Sequence, residues 1–241
     1  MRKELPYFTI DGAFGGSQEW FTQDKWMQLG GCAAVTAVDC SLYFSLYKGK
    51  REVCPQARME LSRKEYIALG MEMKPYLRPR FTGIDRLEIY EEGFSRYLED
   101  RGVSDICLEG WEGSRSYNAT LETVKKQIDG GWPIPVLTLK HRQPSFSNLV
   151  WHWYLITGYD VFEDICAVKV TTYGTWRWLD LKELWHTGYR RRGGLILFDD
   201  RWPRRGGNWK DFRHGRKPSD FRCQPVGDER DGACCIYIEQ S

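Results

Sequence analysis

The period of apolar positions changes about halfway along the chain. Between Gly31 and Tyr47 the run GCAAVTAVDCSLYFSLY is apolar nearly all round and holds no proline. It predicts a buried central helix that begins at Gly31 or Cys32 and is ended by Gly49. SRKEYIALGMEMKPYL opens with Ser62 and Glu65 at the spacing of a capping box, and a stop is expected near Pro75 or Pro79. IDRLEIYEEGFSRYLEDRG sets Ile84, Leu87, Tyr90, Phe94, Tyr97 and Leu98 on one side, with Gly102 as its stop. SDICLEG reads as a short strand, and NATLETVKKQIDGG as a helix ended by Gly130 and Gly131. Beyond Pro133 the helical spacing is gone. PIPVLTLK, WHWYLITGYD, ICAVKVTTYG, TWRWLDL and GGLILFDD are short β-rich runs between turn residues, with DLKELW as a short helix among them. PYFTI reads as a strand or an extended arm. Helices first and antiparallel strands second predict an α+β fold.

Composition narrows this picture in a few places. The chain has 241 residues, 41% apolar and 28% charged, which fits one large globular domain, with or without a tail. The pattern breaks at residue 201. Residues 1–200 carry 26 Lys and Arg against 27 Asp and Glu, whereas residues 201–241 carry 9 against 6. A folded domain over 1–200 and a basic, aromatic extension over 201–241 are therefore expected, with CCIYIEQS as a last strand returning to the sheet. Nucleic-acid binding by the 201–222 stretch is disfavoured, because Asp211 and Asp220 interrupt its charge and no RNA-binding motif is present. No apolar run approaches the roughly 18 residues of a membrane span, and the basic start has no apolar segment behind it. A cytoplasmic protein is expected, with its eight cysteines mostly reduced thiols. There is no CxxC pair. Cys223, Cys234 and Cys235 lack zinc-ligand spacing, so no metal or organic cofactor is implied.

Candidate chemistry centres on LGGCAAV. A thiol at a helix start is placed for nucleophilic attack if a base lies near it, and histidine suits that task. Of His141, His152, His186 and His214, His152 stands inside a strand-like run about 120 residues after Cys32, in the order and near the separation of papain-like enzymes. IDGGWPIPVLTL followed by HWYLITGYD resembles the papain-like peptidases of the C39-like group. The matching residues are Gly131, Pro133, Val136, His152, Trp153, Gly158, Tyr159 and Asp160, and GGCAAV is similar to the group's cysteine motif. The resemblance covers roughly residues 20–198.

The resemblance implies a papain-like fold, Cys32 as nucleophile and His152 as general base and acid. It implies a thiolate favoured by the helix N-terminus, and half of an oxyanion hole from the Cys32 N–H. Gly30 and Gly31 would let a substrate backbone approach. The implied activity is cysteine peptidase or amide hydrolase chemistry, or acyl transfer, on a peptide or protein substrate. Two positions depart from the pattern. Where the family has an oxyanion-hole glutamine this chain has Trp26, so Gln28 is the first candidate and Gln23 the second. Where the family has an orienting asparagine, VTTYGTW offers Thr171 or Thr172. These departures favour the other class of function, an inactive papain-like relative that binds a peptide or protein. Cys40, Cys54, Cys107 and Cys166 read as structural. Trp151 and Trp153 read as core packing, Asp160 as a turn former, and the loop RQPSFSN beside His141 as exposed.

Overall fold

The computed structural model describes residues 1–81 and 83–200, together with the backbone of strands Arg222–Pro225 and Cys235–Ile238. The chain divides into two units, Met1–Trp202 and Pro203–Ser241.

In the first unit the elements run β1 (Arg2–Glu4), β2 (Thr9–Ile10), β3 (Ala13–Phe14), a 3₁₀ turn (Gln18–Trp20), α1 (Lys25–Gly30), α2 (Cys32–Tyr47), β4 (Glu60–Leu61), α3 (Arg63–Met73) and α4 (Leu87–Asp100). They continue with β5 (Cys107–Glu112), α5 (Tyr117–Asp129), β6 (Ile134–Thr138), a 3₁₀ turn (Pro144–Leu149), β7 (His152–Phe162), β8 (Ile165–Thr172), β9 (Thr175–Asp180), α6 (Leu181–Trp185) and β10 (Gly193–Asp199). The result is a mixed α+β structure around a seven-stranded antiparallel sheet of order β5-β10-β6-β7-β8-β9, with β1 paired to the far half of β7.

The sequence patterns fold for the reasons they suggest. α2 lacks a polar face, and residues Cys32 to Ser45 are all buried. α3 starts in a full capping box: Ser62 Oγ accepts from the Glu65 N–H, and the Glu65 carboxylate accepts from the Ser62 N–H. The Ser62→Ala variant is expected to lose about 1 kcal/mol of stability. Urea melts of the two proteins measure this, and superimposable curves would refute it.

Two features depart from the sequence reading, the last strand and Asp160. The strand Cys235–Ile238 (β12) pairs with Arg222–Pro225 (β11) in a separate two-stranded sheet rather than in the main one. Most of the 201–222 stretch lies outside the described residues. Asp160 forms no turn; it sits within β7, opposite Arg2 and Ala167. The loop RQPSFSN is exposed as expected except at Phe146, on whose buried ring the half-buried His141 imidazole stacks at 4.2 Å.

The N-terminal segment is tied into the core through Asp39, a buried carboxyl on α2. Tyr7 Oη and the Gly16 N–H donate to its Oδ2 at 3.0 and 3.2 Å. Tyr66 Oη lies 2.6 Å from its Oδ1. The Gly16 carbonyl in turn accepts from the Gly174 N–H at 3.0 Å, in the turn between β8 and β9. This one residue links α2 to the hairpin that flanks the candidate site.

Candidate functional site

Cys32 is the first residue of α2, and His152 is the first residue of β7. Both are buried, each about 5% exposed. The Cys32 sulfur is within hydrogen-bonding reach of the backbone N–H of Trp153, the residue next to His152, and of its own and the Ala33 N–H groups. The thiol therefore sits at the mouth of β7. Burial outweighs these three donors and pushes the thiol above its ordinary value. This differs from the expected thiolate: the helix terminus helps the anion, but desolvation wins. Burial also lowers His152, to about 4. Near neutral pH the resting pair is a thiol and a neutral imidazole.

Of the two threonines, Thr172 meets the histidine, with Oγ1 2.7 Å from His152 Nε2. Thr171 turns to the other face of β8 and bonds the Thr157 hydroxyl at 2.9 Å. The register explains the choice. Leu155 pairs with Thr171, so Thr172 falls beside Tyr154, on the His152 face. Beyond Thr172, the two-residue turn Tyr173–Gly174 has φ of 54° and 72°, as a tight hairpin between twisted strands requires. That turn lays the Tyr173 ring flat on the imidazole, at 4.6 Å and 1° between planes. Burial, and after it the proximity of a charge on Cys32, raises Tyr173. Tyr173 is a site residue that sequence reading passed over, although it stands in the quoted TTYG.

The two tryptophans part company. Trp153 is core, stacked on Tyr90 at 4.5 Å, with its indole N–H donating to the Ile84 carbonyl at 2.7 Å. Trp151 precedes the strand with φ of 55° and is 46% exposed, so strand alternation does not govern it. The glycines before the cysteine are explained by packing within the chain. A Cβ on Gly31 would lie 2.4 Å from the Met27 carbonyl oxygen, and one on Gly30 would lie 3.2 Å from the Arg80 carbonyl oxygen.

Trp26, at the family's glutamine position, is exposed. Gln23 is exposed and Gln28 half-buried. The structure brings a third amide to α1, that of Gln18, fourteen positions before Cys32. Its Nε2 donates to the Gln28 carbonyl at 3.1 Å, and its Oε1 is buried without a partner. Only the turn of chain at Ser17–Phe21 brings Gln18 there, so no motif spacing signals it.

Cys40, Cys54 and Cys166 are buried and Cys107 half-buried, and all five cysteines among the described residues are free thiols. Among those residues, no three His, Cys, Asp or Glu side chains converge as a metal site would need. No described helix is long and apolar enough to cross a membrane. Comparison with protein families, with curated proteins and with solved structures returned no match.

Proposed function

We propose that the Met1–Trp202 unit has a papain-like, C39-like fold and acts as a thiol-dependent hydrolase on an amide or related acyl bond of a peptide or protein. The observation that carries this reading is the position of the Cys32 sulfur, at a helix N-terminus and against the backbone N–H beside His152. Nε2 is held by Thr172 at 2.7 Å, whereas Nδ1 meets only the Tyr173 hydroxyl, at 3.5 Å, and is the imidazole nitrogen assigned the work. It takes the Cys32 proton as sulfur attacks the carbonyl carbon, so no resting ion pair is needed. The same proton then goes to the leaving amine as the C–N bond breaks and the acyl-enzyme remains. Water, activated by the imidazole, attacks the thioester; the carboxylate leaves and the thiol is restored. The Cys32 N–H, with Gln18 or Gln28, is the candidate donor set for the developing oxyanion. A cytoplasmic location suits the free thiols, and no cofactor enters the scheme.

The pH dependence of Cys32 alkylation by iodoacetamide, read site by site by peptide mass spectrometry, tests this reading. A neutral imidazole is the working base, so the rate should be flat above about pH 5 and fall as pH drops through about 4. Reaction at Cys32 no faster than at the other thiols would overturn it.

A second reading, an inactive relative that binds a peptide or protein, is favoured by the burial of both groups and by the Tyr173 ring stacked on His152. It would then be the Tyr173 ring, not the thiol, that meets the partner.

A further inference from the structure

A cleft of about 440 Å³ opens at the same end of the sheet as Cys32 and His152. At this end β5 and β6 finish, β7 and β10 begin, and β8 finishes at Thr172. Leu137 and Leu139 form part of its wall. They flank Thr138, whose cross-strand partner is His152, and Leu137 is itself opposite Trp153. The far wall holds Arg190, Arg191 and Arg192, just before β10, which pairs with β6. Leu137 and Leu139 face the Trp153 side of the sheet rather than the His152 side, and strands lie about 4.8 Å apart, so the cleft begins one to two strand widths, about 5–10 Å, from Trp153, whose N–H meets the Cys32 sulfur. An extended peptide advances about 3.4 Å per residue and covers that span in two or three residues.

The charge in this cleft is unevenly matched. Arg191 is spent on Asp85, at 2.7 Å. Arg192 gives its Nε to the Tyr189 carbonyl and keeps its terminal nitrogens. Among the described residues, Arg86 and Arg190 have no ion-pair partner. Glu88 and Glu112 line the opening, and both are exposed. Three arginines with donors to spare thus converge on a space large enough for a side chain. Guanidinium forks match carboxylate geometry, and α4 adds an N-terminus without a side-chain cap.

We infer that this cleft is the specificity subsite of the proposed hydrolase and takes an acidic side chain two or three residues from the bond that Cys32 attacks. The inference rests on Cys32 being the nucleophile.

The test uses three electrophiles, chloroacetyl-Ala-Glu-amide and its Gln and Lys counterparts, on the full chain. Each alkylates a thiol with loss of chloride, and the readout is the second-order rate at Cys32. The Glu probe should outrun the Gln probe by about tenfold at low salt, and the gap should shrink at high salt as charge is screened. In Arg190→Gln and in Arg86→Gln the Glu-to-Gln ratio should fall toward one. Taking the ratio within each protein cancels any change in the thiol itself. Equal rates for Glu and Gln, or a preference for Lys, with Cys32 reactive toward iodoacetamide, would overturn the subsite and leave the nucleophile reading standing. A Cys32 inert to iodoacetamide would overturn both.

Discussion

The His152→Ala variant is expected to alkylate at Cys32 about 100-fold more slowly than the wild type at pH 6. Burial holds the Cys32 thiol above 9.0, its ordinary value. Without a base, reaction must wait for a thiolate present in less than about one molecule in a thousand at that pH. With the base, a neutral imidazole takes the proton during attack, and burial keeps His152 neutral down to about pH 4. The two profiles should differ in shape as well as height. The wild type should be flat and then fall on the acid side through about pH 4. The variant should lose the plateau and climb about tenfold per pH unit. Thr172→Val keeps the ring but removes the hydroxyl at Nε2, so it should slow the reaction by about tenfold while keeping the plateau. Identical profiles for wild type and His152→Ala would end the nucleophile reading and leave the binding-module reading in its place.

The second large effect concerns Asp39. Tyr66 Oη lies 2.6 Å from Asp39 Oδ1 and 3.1 Å from the Val35 carbonyl oxygen. A phenol has one proton to give. If Asp39 is protonated at Oδ1, it donates to Tyr66, Tyr66 donates to Val35, and every contact is satisfied. If Asp39 is ionised, one of these contacts is oxygen to oxygen with no hydrogen between. Burial pushes the carboxyl in the same direction, raising it to about 6 against the pull of Tyr66, Gly16 and Tyr7. The folded-state value is above the unfolded one, so the native state binds the proton more tightly. The stability this contributes is complete below about pH 4 and is lost as pH rises through about 6. A shift of this size corresponds to about 3 kcal/mol.

Asp39→Asn mimics the neutral acid, since its amide donates to Tyr66 and its carbonyl accepts from Tyr7 and Gly16. Relative to that variant, the wild type should lose about 3 kcal/mol between pH 4 and pH 7. Comparing the two proteins removes the other groups that titrate in this range. Parallel stability curves would show that Asp39 is ionised throughout. Because Gly16 joins Asp39 to the Tyr173–Gly174 turn, a protein strained at this carboxyl should also reposition the ring on His152.

How much of this could be read from the chain depended on the range of the forces involved. α2, α3, α4, α5 and the five strands from β6 to β10 other than their exact ends follow from local periodicity, caps and turn residues, which act within a few positions. β1, β2, β3, β4 and α1 carry too few residues for a period to register. β1 and β4 exist because a distant strand supplies the hydrogen bonds, as Tyr159 does for Lys3, whereas β2 and β3 pair with each other across Asp11–Gly12. Order and spacing alone suggested Cys32 and His152 as the pair on which the proposed chemistry rests. The choice between Thr171 and Thr172 was not legible, because adjacent strand residues face opposite ways and only the register with β7 says which way is inward.

By itself the sequence determined the helical first half, the stranded second half and the two residues on which the proposed chemistry turns. Tertiary structure alone decided the electrostatics. It buried a thiol and an imidazole so that both rest neutral, laid Tyr173 over His152 and set Gln18 beside α1. It also gathered Arg86 and Arg190 from distant stretches onto one end of the sheet. The physical reason is that desolvation and charge pairing depend on neighbours in space, and those neighbours are fixed by strand order rather than by position along the chain.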